Sequence, residues 1–149
     1  MTKAEISIGN NIEEKKNIAK VKKELNQLFI CTFSDNFYSE AKGFEGKDFI
    51  NLVAGFETSL DAVKLTQTLK NLEKKMRIEN KQKGMHDKVI DLDLILLGDL
   101  IAQDQGISLP SNDIENYLFV LETLAPIAKE HLHPVFHISF SEMLKDKLR

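Results

Sequence analysis

Val89-Ile90-Asp91-Leu92-Asp93-Leu94-Ile95-Leu96-Leu97-Gly98 sets two carboxylates two residues apart inside an otherwise apolar run. In a strand successive side chains alternate faces and each residue rises about 3.3 Å, so Asp91 and Asp93 share one face while Ile90, Leu92 and Leu94 share the other. The run 94–97 reads as the end of a buried, central strand. Aspartate is a poor strand former, and two like charges on a largely buried strand repel and lose hydration unless a cation lies between them. Magnesium is the natural cation, held by one or two carboxylates together with water and phosphate oxygens. The competing reading is a half-exposed strand whose solvent face happens to carry two acids.

Around this strand, 149 residues with 42% hydrophobic and 29% charged side chains suffice for one compact domain spanning 1–149 and divide poorly into two. No apolar run approaches a membrane span, and the start is too rich in Lys and Glu for a signal peptide, so a cytoplasmic protein is expected. Cys31 is the lone cysteine, which rules out a disulfide framework within the chain and a thiolate metal cluster. A net charge of -3 argues against a general nucleic-acid binder. The basic residues are lysines apart from Arg77 and Arg149, so bidentate guanidinium clamps are scarce.

Residues 4–9 alternate polar and apolar and run into Gly9-Asn10-Asn11, a strand and its turn. Ile18, Val21, Leu25 and Leu28 then recur at helical spacing. Residues 29–38 predict a second strand, 42–48 a loop, and 49–57 a third strand. Thr58 or Ser59 is the expected N-cap of a helix carrying Leu65, Leu69, Leu72 and Met76 and fraying near Ile78. Residues 79–88 form a charged connection that leads straight to the aspartates, a candidate lid. Beyond Gly98 we expect a short edge strand at 99–101, a turn at 109–113, a helix over 118–129 and a break at Pro134. The order β, α, β, β, α, β predicts an α+β fold: a ferredoxin-like βαββαβ two-layer sandwich with extra C-terminal elements.

Lys81, Lys83 and Lys88 precede the aspartates, and phosphoryl chemistry needs such cations around the phosphate oxygens. A simply solvated loop is the alternative for Lys81 and Lys83; Lys88, three residues before Asp91, is better placed. His86 is either a phosphate contact or an exposed loop histidine. His131, His133 and His137 lack companion ligands at structural-site spacing and are interrupted by Pro134, so no zinc site is assigned to them. From spacing alone Phe49 and Phe119 are core aromatics.

In order and spacing these segments resemble the 6-hydroxymethyl-7,8-dihydropterin pyrophosphokinase family of folate biosynthesis. Ile6-Ser7-Ile8-Gly9-Asn10-Asn11, Phe37-Tyr38-Ser39-Glu40, Phe49-Ile50-Asn51, Phe56-Glu57-Thr58-Ser59-Leu60, Leu72-Glu73, the Asp91/Asp93 strand, Leu109-Pro110, Phe119-Val120-Leu121 and Leu124-Ala125-Pro126-Ile127 carry the likeness. The resemblance implies a magnesium-dependent diphosphokinase in which a pterin hydroxyl attacks the β-phosphorus of ATP and AMP leaves. It implies two magnesium ions on Asp91 and Asp93, a pterin hydrogen-bonded by Asn51 and sandwiched by Phe49 and Phe119, and backbone near Glu40 and Ala41 at the pterin edge. Glu73 would lie by the nucleotide, with Lys81 and Lys83 adding charge. Lys88 stands where the family has an arginine, Ser111 where it has a phosphate-binding histidine, Tyr117 at another arginine and Asn80 at the second arginine of the loop. The implied partners are a pterin and ATP, with no nucleic acid or membrane; monomer and dimer are both open. Two alternatives stand: a diverged member that binds pterin or nucleotide without transfer, and a kinase with a different alcohol acceptor.

Overall fold

The computed structural model describes residues 1–10, 14–39, 49–79 and 90–149. In chain order the elements are β1 (Thr2–Asn10), α1 (Glu14–Leu28), β2 (Thr32–Phe33), β3 (Phe37–Ser39), β4 (Phe49–Thr58), α2 (Ala62–Glu79), β5 (Asp91–Leu97), β6 (Ala102–Asp104), β7 (Ile107–Leu109), α3 (Asp113–Asn116), α4 (Leu118–Leu124) and α5 (Phe140–Leu148). The main sheet runs β2-β4-β1-β5, with β3 also beside β4, and every pairing in it is antiparallel. The class is α+β.

Alternation along the strands divides the apolar side chains between two cores. Ile6 and Ile8 of β1, Leu52 and Phe56 of β4, and Leu92 of β5 meet Val21 and Leu25 of α1 and Leu65, Leu69 and Met76 of α2. On the opposite face Val53, Ile95 and Leu96 meet Ile114, Val120, Leu121, Leu124, Phe140 and Met143. The sheet is thus covered on both faces. Where two layers were expected there are three, because α3, α4 and α5 form a layer of their own. A β-bulge makes this possible: Ile6 faces Leu94 but Glu5 faces Leu96, so Ile95 is an extra residue. Ile95 and Leu96 both enter the second core, and Leu97 returns to the first.

Several local expectations are corrected by competing hydrogen bonds. The strand expected over 29–38 is two short strands: the Ser34 amide still donates to the Val53 carbonyl at 2.8 Å, but the Ser34 hydroxyl accepts from the Val53 amide at 2.9 Å and donates to the Asp35 carbonyl, so a side-chain bond takes the place of the return ladder bond. The cap of α2 is Asp61, whose carboxylate accepts from the Lys64 amide at 2.8 Å, while Thr58 accepts from Leu60 in the turn before it. In place of a strand at 99–101, β6 and β7 form a hairpin whose turn residues Gln105 and Gly106 both have positive φ. Strand β5 is the last in the sheet rather than central; its outer side is flanked by α2 and β7. Helix α4 stops at Leu124, two residues before Pro126, which has no N–H to continue it. Leu28, placed on the buried face by its spacing, is half exposed.

The histidines fasten the C-terminal segment. Glu5 of β1 is fully buried, its Oε1 lies 3.3 Å from His131 Nδ1, and His131 Nε2 lies 3.2 Å from Asp99 Oδ1. Burial raises the Glu5 carboxyl above its ordinary range, and His131 partly offsets that rise. His133 Nδ1 accepts from the amides of Val135 and Phe136 at 3.1 and 3.2 Å, and burial lowers its pKa, so the ring acts there as a neutral acceptor.

Phe56 is 2% exposed and stacks on Phe29 with ring centroids 4.1 Å apart. Phe56→Ala is expected to cost about 3–5 kcal/mol in urea denaturation, whereas Ile30→Ala, at a site 95% exposed, should stay within about 0.5 kcal/mol. Equal effects of the two would contradict the core assignment.

Candidate active site

Residues directly opposite one another in an antiparallel pair share a face. The registers Phe37↔Asn51, Gly9↔Asn51 and Gly9↔Asp91 therefore set Phe37, Asn51, Gly9 and Asp91 in one row across four strands. The neighbouring row holds Val53, Ser7 and Asp93. Val53 marks this as the face that α4 covers, and both aspartates on it are exposed. Gly9 keeps the row open: a Cβ there would stand 3.2 Å from Asn51 Oδ1 and 3.8 Å from Asp91 Cβ, so any side chain would press on the amide.

Helix α4 brings an aromatic group to the same end. The half-buried Phe119 ring lies 6.3 Å from Phe37 and 5.5 Å from Tyr117, centroid to centroid. Phe49, also half-buried, precedes Asn51 by two residues on β4 and so shares its face. Ser111 donates its backbone amide to the Ile95 carbonyl at 3.0 Å, and its hydroxyl accepts from the Asp113 amide at 3.1 Å. Its described role is thus to start α3 against β5.

Between the aspartates, the Leu92 amide donates to Glu73 Oε2 at 2.5 Å, and Glu73 Oε1 lies 3.3 Å from Lys70 Nζ. Glu73 is 6% exposed and sits well inside α2. Burial, chiefly, raises its carboxyl above the ordinary range, against the lowering effect of the Leu92 bond and Lys70. Although Asp93 as a residue reaches solvent, its carboxyl loses hydration among the neighbours packed around it and is pushed up to about 6, first by that loss and then by the charge of Asp91; Glu73 and Asp113 add to the rise and Lys70 opposes it. Among the described residues no three His, Cys, Asp or Glu side chains converge to hold a metal. The donor chemistry nevertheless fits magnesium, which needs only one or two carboxylates when water and phosphate supply the remaining oxygens, and a carboxyl driven up by lost hydration and then by its neighbours' charge is one that a dication would relieve.

The structure therefore brings Asp91, Asp93, Asn51, Phe49 and Phe119 to one face, with Glu73 at its margin. Glu40, Ala41, Asn80, Lys81, Lys83, His86 and Lys88, and the lid expected over 79–88 beyond Glu79, lie outside the described residues. Phe37, Gly9, Lys70 and Asp113 belong to the same surroundings and were not singled out from sequence. A signal for Lys70 existed: Lys70 and Glu73 are an i,i+3 pair beside the core positions Leu69 and Leu72, on the rim of the buried helix face. A hollow of about 570 Å³ beside Lys3, Phe29, Phe56 and Glu57 lies at the other end of β1 and includes neither aspartate. A smaller one, about 200 Å³, includes Asp93, Lys70, Leu94 and Ser108.

Paired carboxylates beside a hydrogen-bonding amide and an aromatic face suit metal-assisted transfer to a flat heterocycle. Residues 5–129 match the family described as 7,8-dihydro-6-hydroxymethylpterin-pyrophosphokinase, and the chain belongs to that family. It is 29% identical to the 2-amino-4-hydroxy-6-hydroxymethyldihydropteridine pyrophosphokinase of Haemophilus influenzae, over 97% of this chain and 92% of that relative. It is 30% identical to the folic acid synthesis protein FOL1 of Dictyostelium discoideum, over 93% of this chain and 21% of that protein. With the pyrophosphokinase of Synechocystis it shares 33% identity over 66% of this chain and 50% of the relative.

The raised Asp93 carboxyl makes a stability prediction. The folded protein holds this proton up to about pH 6, whereas the ordinary value is 3.8; the group favours folding below about pH 4 and that contribution is lost as pH rises through 6. Asp93→Asn is expected to stabilise the metal-free protein at neutral pH by about 1 kcal/mol, solvent screening having reduced the full effect. It should also flatten the pH dependence across that window. Thermal melts in EDTA read both, and an unchanged slope would count against the charge cluster.

Proposed function

We propose that this chain catalyses ATP-dependent transfer of pyrophosphate to the hydroxymethyl group of 6-hydroxymethyl-7,8-dihydropterin, releasing AMP. The observation that carries the reading is the row joining Asn51, Gly9 and Asp91, with Asp93 beside it, in a chain of the pyrophosphokinase family. In the reaction the pterin hydroxyl oxygen forms a bond to the β-phosphorus as the bond from that phosphorus to the α,β-bridging oxygen breaks. No protein nucleophile takes part. Asn51 fixes the edge of the pterin by hydrogen bonding, and Phe119 and Phe49 hold its faces. Backbone near Glu40 and Ala41 would meet the pterin edge. Asp91 and Asp93 would hold two magnesium ions, which when bound neutralise the phosphate oxygens and align the attacking and leaving groups. Lys88, Lys81 and Lys83 add point charges to the phosphate chain, Ser111 offers a hydroxyl in place of a cation, and Glu73 borders the nucleotide.

The same reading treats residues 1–149 as one pyrophosphokinase-like domain. It takes β1-α1-β2/β3-β4-α2-β5, with its antiparallel order, as a ferredoxin-like split unit to which a C-terminal layer is added. No described helix is long and apolar enough to cross a membrane, and a chain with a lone cysteine suits the cytoplasm.

A coupled assay of AMP release with the reduced pterin and magnesium ATP tests the proposal. Asp91→Ala combined with Asp93→Ala should lower kcat by about 10³-fold or more. Phe119→Ala should raise KM for the pterin by about tenfold, the loss of one stacking contact. Absence of turnover by the pure protein would overturn the transferase reading. Calorimetric binding of pterin or ATP without AMP release would then favour the diverged binder, whose motive is the replacement of cations by Ser111, Tyr117 and Asn80.

A further inference from the structure

A triphosphate brought beside Asp91 and Asp93 adds negative charge to a place that already holds three carboxylates and, through Asp113, feels a fourth. The chain has few arginines with which to answer it. Lys70 of α2 is a described cation that faces this cluster. It lines the small hollow that contains Asp93, with Thr66 and Leu69 behind it and Leu94 and Ser108 opposite. Its one described polar contact is Glu73 Oε1 at 3.3 Å, and its side chain is 53% exposed. Such a partly exposed i,i+3 pair is weak and readily exchanged, and a lysine stem lets the ammonium move while its Cα stays in place. Glu73 does not depend on Lys70 for its position, because Leu92 holds its other oxygen at 2.5 Å.

We propose that Lys70 is a phosphate-binding residue of this enzyme: its ammonium rests on Glu73 in the absence of nucleotide and moves to a phosphate oxygen of ATP bound beside Asp93. The inference rests on the pyrophosphokinase reading and adds to it a cation from the second helix, separate from the lysines that precede the aspartates. Burial pulls the Lys70 pKa down, but Glu73, Asp93 and Asp91 together hold it above its ordinary value, so the ammonium stays charged throughout the working range.

The test uses the full chain with magnesium and α,β-methylene-ATP, with adenosine as a phosphate-free probe, in titration calorimetry. Lys70→Gln should weaken the triphosphate by about tenfold, the loss of one charge-assisted contact. Adenosine binding and KM for the pterin should be unchanged, and Lys70→Arg should restore most of the triphosphate affinity. Lys70→Gln binding the triphosphate like the wild type would overturn the proposal. Equal losses for triphosphate and adenosine would also overturn it, since that pattern belongs to a nucleoside contact or a damaged helix. Wild-type turnover with an unaffected Lys70→Gln removes the role of Lys70 alone; a wild type that neither binds the analogue nor releases AMP removes the pyrophosphokinase reading and this proposal with it.

Discussion

Leu92 lies between Asp91 and Asp93, and its amide, on the outer edge of the last strand, donates to the buried carboxylate of Glu73 at 2.5 Å. A strand at the edge of a sheet leaves such donors without a partner strand, and a buried donor left unpaired costs about 1–3 kcal/mol. Helix α2 supplies a carboxylate where the next strand would otherwise lie. The bond fixes more than one amide. With the Leu92 side chain in the core under α2 and its N–H directed outward in the plane of the sheet, the flanking side chains must both rise from the opposite face. Together with the pairing of β5 to β1, Glu73 thereby helps to hold the strand from which the two aspartates point.

That arrangement is costly for the folded state. Three carboxylates share the surroundings of Leu92, two of them raised above their ordinary range mainly by loss of hydration, and Lys70 opposes the accumulation from one side only. The apolar layers on both faces of β5 offset this. Leu92 is buried in one core and Ile95 and Leu96 in the other, and burying side chains of that size contributes about 1.5–3 kcal/mol each. The bulge at Ile95 has its physical reason here: the strand is open and polar at its Asp91 end and closed on both faces at its Leu97 end. A change of side-chain parity within seven residues permits both.

The α+β class, the apolar faces of both major helices and the shared face of Asp91 and Asp93 were legible in the sequence because each depends on a period, two for strands and 3.6 for helices, that survives tertiary context. What escaped depends on contacts between distant residues. Ser34 bends the second strand because it meets Val53, nineteen positions away. Burial of 94–97 suggested a central strand, yet the covering comes from helices on both faces, a layer that C-terminal periodicity could not assign to one side. Phe37 and Phe119 meet across eighty-two positions, and nothing local to either announces it. The role of Gly9 emerges only when Asn51 and Asp91 are set on its two sides.

The scarcity of arginine can be weighed against this geometry. Arginine offers phosphate two parallel hydrogen bonds in a fixed plane, and lysine offers a mobile point charge. On the proposed reaction, much of the charge on the phosphate chain is neutralised by magnesium at the aspartate pair, a task that does not depend on bidentate geometry. Orientation of the chain is the part that lysines perform less well. Elements far apart in sequence can share that work: β1 and β4 define the floor through Gly9 and Asn51, α4 carries the aromatic wall, and α2 helps to hold the aspartate strand through Glu73 while presenting Lys70 on its rim. A site assembled in this way keeps its positioning in the packed core and asks of its exposed cations mainly charge, which lysine supplies as well as arginine.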